Sequence, residues 1–230
     1  MKTQERAFGG AATPLVSAGK TIEEQSFRII DAEMGPHDFP PDQWSIVRRV
    51  IHTTGDFEFA RLIRIHGQAV KAGCAALRQG AAIVVDTRMV QVGLSPTRLQ
   101  WFGNAVVVPA SQAGVRETAE KEGLTRSAAA FRRLGTTLNG SIVAVGNAPT
   151  ALLETLRIMQ DERIQPALVV GVPVGFVQAD TAKEALWQFQ AVPSITVLGR
   201  KGGSPVAVAV LHALLELAYG LGPAWPHITA

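Results

Sequence analysis

Cysteine is nearly absent: the 230 residues contain one, Cys74, inside "AVKAGCAAL". A lone cysteine excludes a disulfide framework and fits a reducing compartment. On a helical segment it reads as a small buried thiol rather than a nucleophile. Charge of either sign is scarce too. Lysine and arginine total 22 against 19 acidic residues, a net +3, and no Lys/Arg run is interleaved with aromatics, so nucleic acid is not an expected partner. Long apolar runs are also missing. The most apolar segment, "VAVAVLHALLELAY" at 206–219, contains His212 and Glu216 and falls short of the roughly 20 residues that span a bilayer. It reads as a buried or subunit-facing helix, and no membrane partner is expected. The first 20 residues lack the apolar segment of a signal peptide and read as a loose arm, which makes a cytoplasmic location the expectation.

Several catalytic signatures are missing as well. The five histidines, at positions 37, 52, 66, 212 and 227, form no H-x-x-x-H pair and have no cysteine partners, so no metal site is expected. "GRKGGS" has the wrong glycine spacing for a Walker A loop, and no G-x-G-x-x-G follows the first strand. No G-x-S-x-G elbow occurs either.

What is present is an alternation of short β-rich runs with helical segments. Strands are predicted at 62–65, 82–86, 105–109, 141–146, 167–171 and 194–199. Most are continuously apolar, as parallel strands covered on both faces are. The intervening helical segments supply the crossovers that parallel strands need, and right-handed crossovers stack helices on both faces. The expectation is an α/β three-layer sandwich with a mainly parallel sheet, one domain over 21–220, and a short tail over 221–230.

Two helices precede the first strand. "TIEE" has the capping-box form, so the first is predicted to begin at Thr21, with Ile22, Ser26, Ile29, Ile30 and Glu33 along one side. The second covers "PDQWSIVRRVIHTTG", with Trp44, Ile46, Val47, Val50 and Ile51 facing inward. His52 projects beside Arg48 and Ser45, away from that arc. This placement argues against a core histidine and leaves a surface or a functional role open.

Three strand-to-helix turns are rich in small and polar residues: "VGNAPTAL", "VGVPVGFV" and "LGRKGGSP". Ligands of parallel sheets collect outside the carboxyl ends of the strands, where such turns converge. Asn147 can cap its helix. Lys201, Gly202, Gly203 and Ser204 combine a cation, free N–H groups and a helix start, which favours an anion. At another helix start, "TRSAAA" adds Arg126, able to grip a carboxylate in two places, and Ser127. The turns together predict a pocket for a large anionic ligand.

Taken in order, "SFRIIDAE", "VIHTTGDFE", "IVVDTRMVQVGL", "TRSAAA", "GSIVAVGNAPTAL", "PALVVGVPVGFV" and "GRKGGSPVAVAVLHALL" closely resemble the precorrin-8X methylmutase family, also described as cobalt-precorrin-8 methylmutases. The resemblance implies a flavodoxin-like fold, a homodimer with the site near its interface, and no cofactor. It also implies transfer of a methyl group from C-11 to C-12 of ring C of a tetrapyrrole polycarboxylate. Through "VIHTTGDFE" it implies that His52 is the catalytic residue. Through the other matching positions it implies that Ser26, Arg126, Ser127 and 201–204 hold the substrate, with Asn147 a weaker addition. The chain departs from the family pattern at Glu23 and Gln25, at Thr181 and Ala182, and at His212, which bears on contacts to the substrate arms. A non-catalytic tetrapyrrole carrier is the alternative reading, and a flavodoxin-like domain for a phosphorylated cofactor a weaker one.

Overall fold

The six apolar runs become six strands in a computed structural model, which describes residues 14–221. The elements run α1 Pro14–Met34, α2 Pro41–Thr54, α3 Phe59–Leu62, β1 Ile63–Ile65, α4 Ala69–Arg78, β2 Ile83–Val85, α5 Arg88–Gly93 and α6 Pro96–Gln100. They continue as β3 Val106–Val107, α7 Val115–Glu122, α8 Arg126–Arg132, β4 Ile142–Val145, α9 Pro149–Glu162, β5 Leu168–Gly171, α10 Ala179–Gln188, β6 Ser194–Val197 and α11 Ser204–Tyr219.

The chain divides between His37 and Asp38 into two compact units. The first contains α1. That helix begins at Pro14, seven residues before the predicted start, so Thr21 lies inside it and caps nothing. Phe27 and Ile30 are buried while Ile22 and Ile29 are exposed, so the buried face is turned from the predicted stripe. Phe27 carries the largest apolar surface of this segment, and burying it decides the orientation. Of the expected arm and tail, residues 1–13 and 222–230 lie outside the described residues.

The second unit is the α/β sandwich. Its strand order is β1-β6-β5-β4-β2-β3, with every pair parallel except β1 with β6. Leaving aside the antiparallel edge, the five parallel strands taken in chain order lie 2-1-3-4-5, the flavodoxin-like doubly wound arrangement. Helices α2 and α4 pack on α11 over one face, while α7, α8, α9 and α10 pack in succession over the other. β4, β5 and β6 are buried at every residue, which is why their sequences do not alternate.

Tight spots mark where the layers meet. A β-carbon added at Gly146 would stand 2.8 Å from the Ser204 Cα, so the end of β4 and the start of α11 touch through backbone alone. Cys74 is buried on α4, where burial pushes its thiol up to about 11 and keeps it protonated at neutral pH.

Candidate active site

In this strand order the topological switch point lies between β2 and β4. The apolar β2 ends at the charged Asp86, only 2% exposed. Its carboxylate accepts the backbone N–H groups of Gly146, Asn147 and Ala148 at 3.0, 2.8 and 2.7 Å. Those donors lie at the amino end of α9, where the helix field favours an anion. Burial holds the Asp86 carboxyl above its ordinary range, and the three N–H bonds pull the other way. The N–H groups of the "VGNAPTAL" turn are therefore engaged by the protein's own carboxylate. Asn147 is exposed, and its side chain caps nothing.

Beside Asp86 opens a cavity of about 700 Å³, lined among others by Thr87, Arg88, Gln112, Arg116, Arg126 and Ser127. Three guanidiniums from three elements line it, beside the Asp86 carboxylate. Arg88 donates to the Ser111 hydroxyl at 3.2 Å, and Arg116 pairs with Glu120 at 2.8 Å on a fully solvated surface. Arg126 has no hydrogen bond or ion pair among the described residues. The local sequence explains its placement. The Thr125 side chain accepts from the Ala128 N–H and donates to the Thr150 hydroxyl, which ties the start of α8 to the start of α9. Further along, the nearly buried Glu154 receives Arg132 at 2.7 and 3.0 Å and Arg157 at 2.8 Å, clamping the two helices together. Burial works against the ionised Glu154, but the two arginines outweigh it and hold the carboxyl below its usual range.

Ser204 joins this edge: its hydroxyl lies 3.3 Å from that of Thr87 and is buried. His52 stands in the last turn of α2 and is half-buried. The predicted inward residues Trp44, Ile46, Val47, Val50 and Ile51 are buried, and so are Arg48 and Arg49. Arg48, one turn before His52, is therefore covered, while His52 itself is half-buried. One residue on, Thr53 lines a second cavity of about 390 Å³ with Arg49, Met89, Val92, Val208 and His212. Ser26 sits half-buried in mid-α1, in the other unit.

Lys201 is engaged within the chain. Its ammonium pairs with Asp56 and, at 2.5 Å, with Glu58, and these pairs raise its pKa while lowering that of Asp56. Gly202 adopts φ +152°, and a β-carbon there would stand 2.3 Å from the Val172 carbonyl oxygen. Only glycine permits that approach.

His212 lies on α11. Its Nε2 accepts the Ser95 N–H at 3.0 Å, while Glu216, one turn on, pairs with Arg49 at 2.5 Å and Arg98 at 2.6 Å. Burial, together with Arg98 and Arg49, lowers the imidazole to about 4. From about pH 6.5 down to 4 the unfolded chain binds a proton there that the folded protein refuses, so stability falls on acidification through that window and is level above it. The expected loss between pH 7 and pH 5 is about 2 kcal/mol. A His212→Asn variant should show a correspondingly flatter pH dependence of the urea midpoint.

A doubly wound sheet with an arginine-lined cavity at its switch point defines a class of α/β proteins that take their ligands at the carboxyl ends of the strands. The chain belongs to the precorrin-8X methylmutase family, whose profile matches residues 21–217. A cobalt-precorrin-8 methylmutase of Leptospira interrogans is 44% identical over 211 residues, covering 89% of this chain and 96% of that protein. A precorrin-8X methylmutase of Pseudomonas aeruginosa is 41% identical over 197 residues, covering 85% and 94%. The crystal structure of the precorrin-8X methylmutase from Thermus thermophilus superposes with a TM-score of 0.81 at 47% identity, covering 88% of this chain and 99% of that one. Membership makes the chain a methylmutase, an isomerase of cobalamin biosynthesis.

Asp86, Arg88 and Arg116 were not among the residues singled out from sequence. An aspartate closing an apolar strand is a usable signal, because a buried carboxylate requires donors. Arg116, on a short polar helix, gives no such signal.

Proposed function

We propose that the chain moves the methyl group from C-11 to C-12 of ring C of precorrin-8X or its cobalt complex, with His52 as proton donor. Histidine is the side chain most often used to hand a proton to a reacting group. Delivered to the ring C nitrogen, that proton favours the charge distribution from which the methyl migrates. The migration needs no covalent help and no cofactor, so positioning and electrostatics suffice. The acetate and propionate arms of the substrate meet Arg126 and Ser127, aided by Arg88 and Arg116, with 202–204 completing that surface; Ser26 keeps the substrate-holding role that the family resemblance implies for it. The resemblance also implies substrate contacts at Asn147 and Lys201, whose backbone N–H and ammonium, respectively, also meet internal carboxylates.

The reading is carried by the family match, which runs unbroken through α2, the cavity and the 199–203 loop. A homodimer belongs to the proposal. Met89 and Val92 are 64% and 78% exposed beside the apolar second cavity, which supports a subunit contact there. A cytoplasmic setting agrees with the absence, among the described residues, of any helix long and apolar enough to cross a membrane.

The test is incubation of the purified protein with precorrin-8X. Conversion of the yellow substrate to red hydrogenobyrinate is expected, and tight binding without spectral change would make the chain a carrier instead. Within that assay, Arg126→Met should raise KM about tenfold and leave kcat within about twofold, because a lost carboxylate contact weakens ground and transition states alike. A lowered kcat at unchanged KM would move Arg126 into the chemistry.

A further inference from the structure

We propose that residues 199–203 form a strut that fixes the carboxyl end of α2, and that Lys183 and Lys201 are the positioning residues behind it and in front of it. The proposal rests on His52 being the proton donor.

The strut is held from behind by one face of α10. Asp180 accepts the Gly199 N–H at 2.9 Å, and the Lys183 ammonium donates to the Lys201 carbonyl oxygen at 2.7 Å. Three residues apart, these side chains share a side of the helix. Lys183 is fully buried, so its ammonium costs desolvation, which pushes it down to about 8. A lysine buried at that cost is explained by the carbonyl it holds. From the side, the Gly203 N–H donates to the Val172 carbonyl at 2.8 Å and the Gly175 N–H to the Arg200 carbonyl at 3.1 Å, locking the strut to the loop after β5.

At the front, Lys201 reaches the turn that ends α2. It pairs with Asp56 and Glu58, and its Nζ lies 5.9 Å from the centre of the buried Phe59 ring. That turn is rigid in its own right. Gly55, at φ +64°, returns its N–H to the Ile51 carbonyl at 2.7 Å, and the Asp56 carboxylate accepts the Glu58 N–H at 2.9 Å. His52 stands three residues before Gly55. Fixing Asp56 and Glu58 therefore fixes the last turn of α2, and displacement of a reacting group by about 1 Å can cost a hundredfold in rate. The charge of Lys201 is spent on α2, which leaves the arginines of the larger cavity to meet the substrate's acid arms.

Kinetics with precorrin-8X test this. Lys201→Met and Lys183→Met are each expected to lower kcat about tenfold to a hundredfold with KM within about twofold. They should also displace the pH profile of kcat, while Lys201→Arg restores most of the rate. The exchanged pair Asp56→Lys with Lys201→Asp should recover turnover relative to Lys201→Asp alone. Raised KM at normal kcat, no change in either constant, or failure of the exchanged pair to recover would overturn the strut. Lys201 is 40% exposed, so its variants should fold even where Lys183→Met does not. His52→Ala in the same assay separates the two readings. Turnover retained there removes the proton donor itself, whereas an inactive His52→Ala beside a fully active Lys201→Met removes only the strut.

Discussion

His52→Ala should turn over precorrin-8X about a hundredfold to ten-thousandfold more slowly than the native chain, the usual range for loss of a positioned general acid. The same variant should unfold at nearly the native urea concentration. α2 is anchored by Trp44, Ile46, Val47, Val50 and Ile51, all buried, and by Arg49 on Glu216, none of which the substitution touches. Gly55 ends the helix through its own backbone N–H, donated to the Ile51 carbonyl. The two measurements together make the prediction discriminating. A variant that loses stability along with activity would mark a structural histidine, and one that keeps near-normal turnover would leave the proton to some other group.

Asp86→Ala should produce the largest loss of stability, about 3 kcal/mol, because it strips an acceptor from three buried or half-buried N–H groups at once. The urea midpoint should fall with the m-value unchanged. Activity should fall as well, since Asp86 ties the end of β2 to the start of α9 beside the arginine-lined cavity. Asp86→Asn tests the cause. Gly146 donates to one carboxylate oxygen and Asn147 and Ala148 to the other, so an amide meets at least one N–H with its own NH₂ group. A smaller but distinct loss is expected. Full stability in Asp86→Asn would show that shape rather than acceptor count matters here.

The layout of the sheet was legible because its cause is local. Continuous apolar runs such as 142–145 and 168–171 are what strands covered on both faces require, and all six predicted strands form. The start of α1 was not legible in the same way. A capping box signals a helix start only if nothing upstream extends the helix, and residues from Pro14 do. The turns were recognised as unusual, but their occupants were not. The carboxylate that fills the α9 amino end comes from a residue 62 positions away from Ala148, and the partners of Lys201 lie 145 and 143 positions away. No local pattern encodes such pairs. A cationic or glycine-rich turn looks the same whether its counter-charge arrives with a ligand or from the chain's other half.

The two borders of the sheet carry a consequence for how copies of the chain meet. β3 is two residues long and β1 three, and β1 runs against its neighbour. Borders this short offer too few free backbone groups to recruit a further strand. Among the described residues, the edges therefore disfavour pairing by a shared ladder and leave the helices as the surfaces suited to it. In the proposed dimer, residues such as Met89 and Val92 could then change in step between partners without disturbing a single strand.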